Sequence, residues 1–431
     1  MNVTLTPAPL KGTVAAIPSK SHLHRLLICA ALGDTQIRLP CPMLSQDIEA
    51  TVRCLNALGA TVDYQNNELS VIPIQPSDQN TTLDCGESGS LYRFLVPLVG
   101  ALNKTATFQL SAKLPQRPMD DLWNTLEAHG AVITGKGTAT PTVSGTLSPG
   151  RFEIPGDVSS QFISGLLFAL PLLDGDSEIV ITGQTQSVGY IQMTLDALKD
   201  FSINVFPTAT GYSVPGNQRY HAENAPAPEG DWSNSAFWLC AAACSGEITV
   251  TGLKRNSGQG DKAVCDILRQ FGAIVDQTEN TVTVRKSSLH GITIDAADVP
   301  DLVPALAVVA AAATGTTMLQ NISRLRLKES DRVATVCGLI NTLGGNAATG
   351  GVDENTMIIT GNGTLSGGTY DAFQDHRIVM AAAIASTICN NPVTVTNAQN
   401  VNKTYPEFFN DFALLKGIYN QSEQLAVKSE Q

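Results

Sequence analysis

Apolar residues recur along this chain in two helix-like patterns that alternate with short strand patterns. In the first, an amphipathic stretch ends at a small residue and runs into β-branched residues, as in ATVRCLNALGATVDY at 50–64. The copies end at Gly59, Gly130, Ser202, Gly272, Gly344 and Gly417, at steps of 71, 72, 70, 72 and 73 residues. Six repeats of about 72 residues fill the 431-residue chain. Each small residue is predicted to cap a helix before a strand begins.

The second pattern is apolar on nearly every side, which is typical of buried helices. Its copies read HRLLICAAL, LYRFLVPLVGAL, QFISGLLFALPLL, NSAFWLCAAAC, VPALAVVAAAA and RIVMAAAIAS, each followed by a short strand pattern. A repeat is therefore predicted as helix, strand, helix and strand, usually with one further strand. Three repeats would make one domain, and the Pro-rich stretch HAENAPAPEGD at 221–231 is the predicted break between two similar domains.

Composition excludes several classes of protein. With 27 basic and 39 acidic residues the net charge is −12, the opposite of what nucleic-acid binding requires. No run of 18 apolar residues and no basic-then-apolar start are present, so we expect neither a membrane partner nor a targeting segment, and a cytoplasmic location. The nine cysteines include no CxxC pair and are predicted to be buried and reduced. Cys240 and Cys244 share a helix face, but no His accompanies them to make a zinc site.

Polar and charged residues precede the six apolar helices. They are Ser19-Lys20-Ser21, Gly89-Ser90, Ser159-Ser160-Gln161, Asp231-Trp232-Ser233, Asp301 and Asp375-His376-Arg377. Ser and Asp in these places can be plain helix caps. A cation at a helix N-terminus is unfavourable unless an anion binds there too. Lys20, Arg25, Arg93 and Arg377 therefore indicate anion sites.

A second basic cluster, NISRLRLKESDR at 321–332, allows more than one interpretation. An extended segment would put Arg324, Arg326 and Lys328 on one face. In a helix near Lys328, Lys328 and Arg332 would be like charges four residues apart, which repel each other. A solvated run of charges is the plainest alternative. Arg117 and Lys403, which lie in Pro-flanked loops, add to the cations available for a multiply anionic ligand. The motifs GxxxxGK[ST], GxGxxG, HExxH and GxSxG are missing, so no metal or redox cofactor is expected.

Motifs along the whole chain resemble those of the 5-enolpyruvylshikimate-3-phosphate synthase family. They read PSKSHLHR (18–25), SGSLYRFL (88–95), LPQRPM (114–119), DVSSQF (157–162), EGDWSNSAFW (229–238), RNSGQGD (255–261), RLKESDR (326–332), DHR (375–377) and KTYPEFF (403–409). The resemblance implies an α/β fold of two domains, each with three βαβαββ repeats around buried parallel helices and with the active site in the interdomain cleft. The domains would comprise residues 19–230 and residues 231–431, the latter joined by residues 1–18.

The resemblance also implies a reaction. The 5-hydroxyl of shikimate 3-phosphate attacks C2 of phosphoenolpyruvate while C3 is protonated, and the tetrahedral intermediate then loses phosphate. This transfer belongs to the shikimate pathway of aromatic amino-acid biosynthesis, on the way to chorismate. Its partners would be these two small molecules alone, bound by a monomer, and the anion glyphosate would fit where phosphoenolpyruvate does.

The family's functional residues carry over onto matching positions of this chain. Catalytic residues would be Asp301 as base and Glu329 as acid, with Lys20 as a competing acid. The phosphoenolpyruvate ligands would be Lys20, Gly89, Arg117, Gln161, Arg332, Arg377 and Lys403. The shikimate 3-phosphate ligands would be Lys20, Ser21, Arg25, Ser159, Ser160, Gln161, Ser187, Tyr190, Asp301 and Lys328. Acid–base roles require a carboxyl group whose pKa is raised by burial, a property that the sequence itself does not show.

Some positions depart from the family pattern, and two other functions stay open. Glu87, Ser90 and Gln374 stand where Asn, Thr and Asn are common, and Arg324 replaces a neutral polar residue. We expect Arg93 or another cation to offset Glu87. The first alternative is a UDP-N-acetylglucosamine enolpyruvyl transferase, although the loop at 111–122 lacks that family's Cys and Ser21 replaces its Asn. The second is a non-catalytic sugar-phosphate binder, which would need neither Asp301 nor Glu329.

Overall fold

The computed structural model describes residues 1–75 and 80–422, which form a mixed α/β fold as predicted. The α-helices are α1 (Lys20–Ala31), α2 (Gln46–Leu58), α3 (Gly89–Ala101), α4 (Asp120–Ala128), α5 (Ser160–Ala169), α6 (Val188–Asp200), α7 (Trp232–Ser245), α8 (Val264–Phe271), α9 (Val303–Ala312), α10 (Arg332–Thr342), α11 (His376–Ala385) and α12 (Phe408–Leu414). The strands are β1 (Asn2–Thr6), β2 (Lys11–Ala15), β3 (Ile37–Pro40), β4 (Thr61–Gln65), β5 (Glu68–Ile72), β6 (Thr81–Gly86), β7 (Ala106–Leu110), β8 (Ala131–Thr134), β9 (Thr142–Gly145), β10 (Arg151–Pro155), β11 (Ser177–Thr182), β12 (Phe206–Pro207), β13 (Gly211–Val214), β14 (Glu247–Thr251), β15 (Ile274–Gln277), β16 (Thr281–Arg285), β17 (Thr293–Asp295), β18 (Thr314–Gln320), β19 (Asn346–Gly350), β20 (Thr356–Asn362), β21 (Gly368–Asp371), β22 (Val393–Thr396) and β23 (Ile418–Ser422).

The chain divides into two compact units. Unit 1 contains Met1–Ile17, Gly230–Ser257 and the chain from Asp261 onward, whereas unit 2 contains Pro18–Glu229 and Gly258–Gly260. The three residues Gly258–Gly260 belong to unit 2 because they pack closely there. A Cβ on Gly189 would lie 2.8 Å from the Gly260 nitrogen, so the backbones touch.

Each unit carries three small sheets built on one scheme. In unit 2 the strand orders are β3-β5-β4, β6-β7-β9-β8 and β10-β11-β13-β12. In unit 1 they are β15-β16-β14-β2, β17-β18-β20-β19 and β21-β22-β1-β23. All but the β3 sheet combine one parallel pair with antiparallel neighbours. The N-terminal strands complete unit 1, since Val3 pairs with Val395 and Thr13 with Thr249.

The apolar helices are buried, which confirms the prediction. Helices α1, α3 and α5 belong to unit 2, and α7, α9 and α11 belong to unit 1 and contact one another. Helix α9 shows why, because every residue from Val303 to Ala311 is buried and no polar face is left for water. None of the helices that the structure describes is both long and apolar enough to cross a membrane. The cysteines are free and buried, apart from the half-buried Cys337.

The turn that ends the amphipathic helices needs a left-handed residue. Gly59 adopts φ 106° after α2, and Ser202 adopts φ 59° at the matching place after α6. In the sixth repeat the prediction was wrong, because the left-handed residue is Lys416 (φ 69°) and not Gly417. Gly417 is required for space instead, since a Cβ there would clash with the Phe412 ring.

Candidate functional site

In unit 2 the candidate residues collect at helix N-termini. Ser19 caps α1 by accepting a hydrogen bond from the His22 amide, and Ser159 caps α5 by accepting one from Gln161. Both serines are therefore true caps, which was the plainer interpretation of their positions. Lys20 is the first residue of α1, and its Nζ lies 2.9 Å from Oδ2 of Asp47.

Arg25 ties α1 to α6. Its Nε donates to Thr194 Oγ1 at 2.8 Å and its Nη2 donates to the Tyr190 carbonyl at 2.9 Å. Its Nη1 donates to the Ser21 carbonyl at 2.6 Å. The side chain is buried over the Phe94 ring, and this burial lowers the pKa of Arg25 to about 10. These bonds bring Ser21 and Tyr190 together.

The start of α6 is held in an unusual backbone conformation. Ser187, the residue before the helix, is buried and adopts φ 56°, which is rare for any residue but glycine. The Tyr190 amide donates to the Ser187 carbonyl at 3.1 Å, so the turn is closed. Ser187 is thereby placed one helical turn from the Arg25 contact.

A second group of candidates meets at the start of α3. Nη1 of Arg93 donates to Gln161 Oε1 at 2.7 Å, and its Nη2 donates to the Pro118 carbonyl at 3.2 Å. Gly89 faces these cations, because a Cβ added to it would lie 2.7 Å from Nη1 of Arg117 and 3.4 Å from Nη1 of Arg93. The Arg117 guanidinium can approach the helix start this closely only because residue 89 has no side chain.

In unit 1 the candidates surround Arg332, the first residue of α10. Its Nη1 donates to Asp301, its Nη2 to Glu329 and its Nε to Asp375, each at 2.8 Å. The side chain is 1% exposed. Burial opposes its charge, but the three carboxylates outweigh burial and hold the pKa of Arg332 above its usual value.

Asp301 is contacted by three cations. Besides Arg332, Lys328 Nζ lies 3.3 Å from its Oδ1 and Arg377 Nη2 lies 3.3 Å from its Oδ2. Burial raises the pKa of Asp301, but the charges of Arg377, Lys328 and Arg332 outweigh it and hold that pKa well below the usual range. The surrounding cations, and not burial, therefore set the direction of the pKa shift at this carboxyl group.

The other cations of this cluster are also held by carboxylates. Lys403 is buried, and its Nζ lies 3.7 Å from Oε1 of Glu329. Burial lowers the pKa of Lys328 to about 8, although Asp301 opposes that shift. Glu329 thus lies between Arg332 and Lys403.

The backbone of 321–332 differs from each predicted arrangement. A 3₁₀ helix spans Ser323–Leu327, and Lys328 is extended before α10 begins at Arg332. The alternation that would have put Arg324, Arg326 and Lys328 on one face is therefore wrong. Lys328 and Arg332 do not share one helix either, because Lys328 lies before α10, and both side chains contact Asp301. Arg326 fits the solvated-charge interpretation, at 3.5 Å from Asp331 and from Glu354.

Two further acidic residues, which are not among the predicted ligands, belong to this cluster. Asp375 caps α11, is fully buried and binds Arg332. Asp261 is 2% exposed and accepts a hydrogen bond from Ser233. Burial and the nearby Asp301 raise the pKa of Asp261 to about 6, against the charge of Arg377. Both residues lie in motifs noted above, so motif membership was the available signal.

The candidates thus fall into two sets, one on each unit. Unit 2 holds Lys20, Ser21, Arg25, Gly89, Arg117, Ser159, Ser160, Gln161, Ser187 and Tyr190. Unit 1 holds Asp301, Lys328, Glu329, Arg332, Arg377 and Lys403. Among the described residues, no group of three or more His, Cys, Asp or Glu side chains is arranged to hold a metal ion.

The fold is similar to that of two solved enzyme structures. The enolpyruvyl transferase NikO from Streptomyces tendae superposes with a TM-score of 0.79 at 17% identity, over 98% of each chain. EPSP synthase from Acinetobacter baumannii superposes with a TM-score of 0.81 at 22% identity, over 98% of this chain and 100% of that one.

Sequence similarity identifies the particular family. The family model of EPSP synthase (3-phosphoshikimate 1-carboxyvinyltransferase) matches residues 5–412, and the chain belongs to this family. The 3-phosphoshikimate 1-carboxyvinyltransferase of Clostridium acetobutylicum is 40% identical over 96% of this chain and 97% of its own. That of Clostridium novyi is 38% identical over 97% and 98%. The family membership expected from the sequence motifs is confirmed.

Proposed function

We propose that this chain transfers the carboxyvinyl group of phosphoenolpyruvate to the 5-hydroxyl of shikimate 3-phosphate and releases phosphate. The observation that carries the proposal is the carboxylate of Asp301 held among Lys328, Arg332 and Arg377. A reaction between two multiply anionic substrates needs cations to bring them together and a carboxylate to take a proton. The binder that lacks catalysis would need the cations alone.

The cations divide by chemistry. Arg332 and Arg377 suit the carboxylate of phosphoenolpyruvate, because a guanidinium can donate two parallel hydrogen bonds. Lys20, Arg117 and Lys403 suit its phosphate, beside the bare backbone of Gly89 and with Gln161. The remaining unit 2 candidates would bind shikimate 3-phosphate together with Lys328 and Asp301. Because each unit carries candidate ligands of its own, we propose that both units contribute ligands to the same pair of substrates.

The proton movements can be written for named groups. The carboxylate of Asp301 accepts the proton of the 5-hydroxyl while the hydroxyl oxygen bonds to C2 of phosphoenolpyruvate. Glu329 donates a proton to C3, with Lys20 as the alternative donor. In the tetrahedral intermediate the C2–O bond to phosphate then breaks, C3 returns its proton, and the enol ether forms.

Phosphate release by the purified protein tests the proposal. Shikimate 3-phosphate with phosphoenolpyruvate would be compared with UDP-N-acetylglucosamine with phosphoenolpyruvate. We expect phosphate release only in the mixture that contains shikimate 3-phosphate. We expect the Lys20→Met variant to lose this activity. Release with the nucleotide sugar would support the first alternative. Tight binding of shikimate 3-phosphate without any release would mean a non-catalytic binder and would direct attention to Glu87.

A further inference from the structure

Lys20, a candidate ligand, forms an ion pair with Asp47, which is not among the candidate ligands. Nζ of Lys20 is 2.9 Å from Oδ2 of Asp47, and these side chains are 19% and 5% exposed. Lys20 opens α1, where its charge faces the partial positive charge of the helix N-terminus. A carboxylate at hydrogen-bond distance offsets that repulsion and fixes the position of the ammonium group.

The helix that carries Asp47 is joined to α1 by a second contact besides the ion pair. Asp47 lies in the first turn of α2, where its charge is favourable. The Thr51 hydroxyl lies 3.0 Å from the Asp47 carbonyl and 2.6 Å from Nδ1 of His24 on α1. His24 is fully buried, and burial lowers its pKa to about 3, so it stays neutral at this contact. Thr51 and His24 therefore fasten α2 to α1 one turn beyond the ion pair.

We infer that Asp47 is a positioning residue, which acts on the reaction by holding the ammonium of Lys20 in place. The inference rests on the proposed function, in which Lys20 binds or protonates phosphoenolpyruvate. Removing the charge of Asp47 makes the surroundings more positive, so it should not weaken the binding of an anion. The loss should instead fall on kcat, because a misplaced Lys20 would serve the transition state poorly.

A double-mutant cycle separates positioning from general structural support. Asp47→Asn should lower kcat by about 10- to 100-fold, with the KM for phosphoenolpyruvate unchanged or lower. In a Lys20→Gln background the same change should alter the rate by less than about twofold, because there is no ammonium left to position. Single turnovers with enzyme in excess make the slow Lys20→Gln variants measurable.

Glu127→Gln is the matched control. Glu127 also accepts from a lysine in unit 2, Lys136, at 2.7 Å, with about a third of each side chain exposed. It should leave the rate within about twofold in both backgrounds. The inference would be overturned if the wild type releases phosphate but Asp47→Asn lowers the rate equally in the two backgrounds. It would also be overturned if Asp47→Asn causes no loss at all. A wild type that releases no phosphate would overturn the proposed function and this inference together.

Discussion

The absence of a side chain at residue 89 should decide how phosphoenolpyruvate binds. In Gly89→Ala the new Cβ would lie 2.7 Å from Nη1 of Arg117, where ordinary contacts begin near 3.4 Å. The guanidinium must therefore retreat by about 0.7 Å, the difference between those two distances. Nη1 of Arg93 and the Leu114 methyl lie at 3.4 Å and need not move.

The cost follows from the hydrogen bond that Arg117 would make to the substrate. A charge-assisted hydrogen bond contributes roughly 1.5–3 kcal/mol, so losing it should raise the KM for phosphoenolpyruvate about 10- to 100-fold. The inhibition constant of glyphosate should rise as well, since that anion would occupy the same place. Only the far end of a flexible side chain has to move, so the melting temperature should change by no more than about 2 °C.

Phosphate release at saturating shikimate 3-phosphate, with phosphoenolpyruvate and glyphosate varied, measures both constants. Gly100→Ala at the other end of α3 is the control, because its Cβ would lie 2.8 Å from Cγ of Leu147 in the core. That variant should melt a few degrees lower, since overpacking costs about 1–3 kcal/mol, and keep a normal KM. A folded Gly89→Ala protein with both constants within about twofold of the wild type would refute the reasoning.

Three further outcomes are expected. Because burial lowers the pKa of Lys328 to about 8, kcat/KM for shikimate 3-phosphate should fall above about pH 8, and Lys328→Arg should flatten that fall. Burial lowers the pKa of His24 and of His376 from 6.5 to about 3, so the unfolded chain takes up protons first as pH drops. The melting temperature should therefore decrease as the pH drops from 6.5 to about 3, and it should decrease less steeply in His24→Gln. Gln374 adopts φ 59°, which Asn tolerates better, so Gln374→Asn should melt about 1–3 °C higher.

The helices and turns were accessible from the sequence because their causes are local. An all-apolar stretch such as Val303–Ala312 can only be buried, whatever its neighbours are. The turn glycines are dictated by φ at one residue, as at Gly59. The sixth turn lies one residue earlier than predicted, at Lys416. Gly417 misled the prediction because its lack of a side chain makes room for the Phe412 ring.

The charge partners were not accessible, because they come from distant parts of the chain. Asp375 lies 43 residues from Arg332, and Asp47 lies 27 residues from Lys20. No periodicity records such pairs, and a motif marks only that a residue matters. The direction of the pKa shift at Asp301 depends on the same contacts, since burial and charge act on it in opposite senses.

That opposition bears on how Asp301 could act as a base. With its pKa held well below the usual range, the carboxylate is a weak proton acceptor while Lys328, Arg332 and Arg377 face it alone. Anionic substrates bound to these cations would offset their charge at Asp301, and the effect of burial, which raises the pKa, would then prevail. The proposed base would thus gain basicity as the substrates arrive, at the moment when a proton has to be taken from the hydroxyl. Carboxylates such as Asp375 serve a different purpose, because a charge fixed in the core holds the Arg332 guanidinium in place.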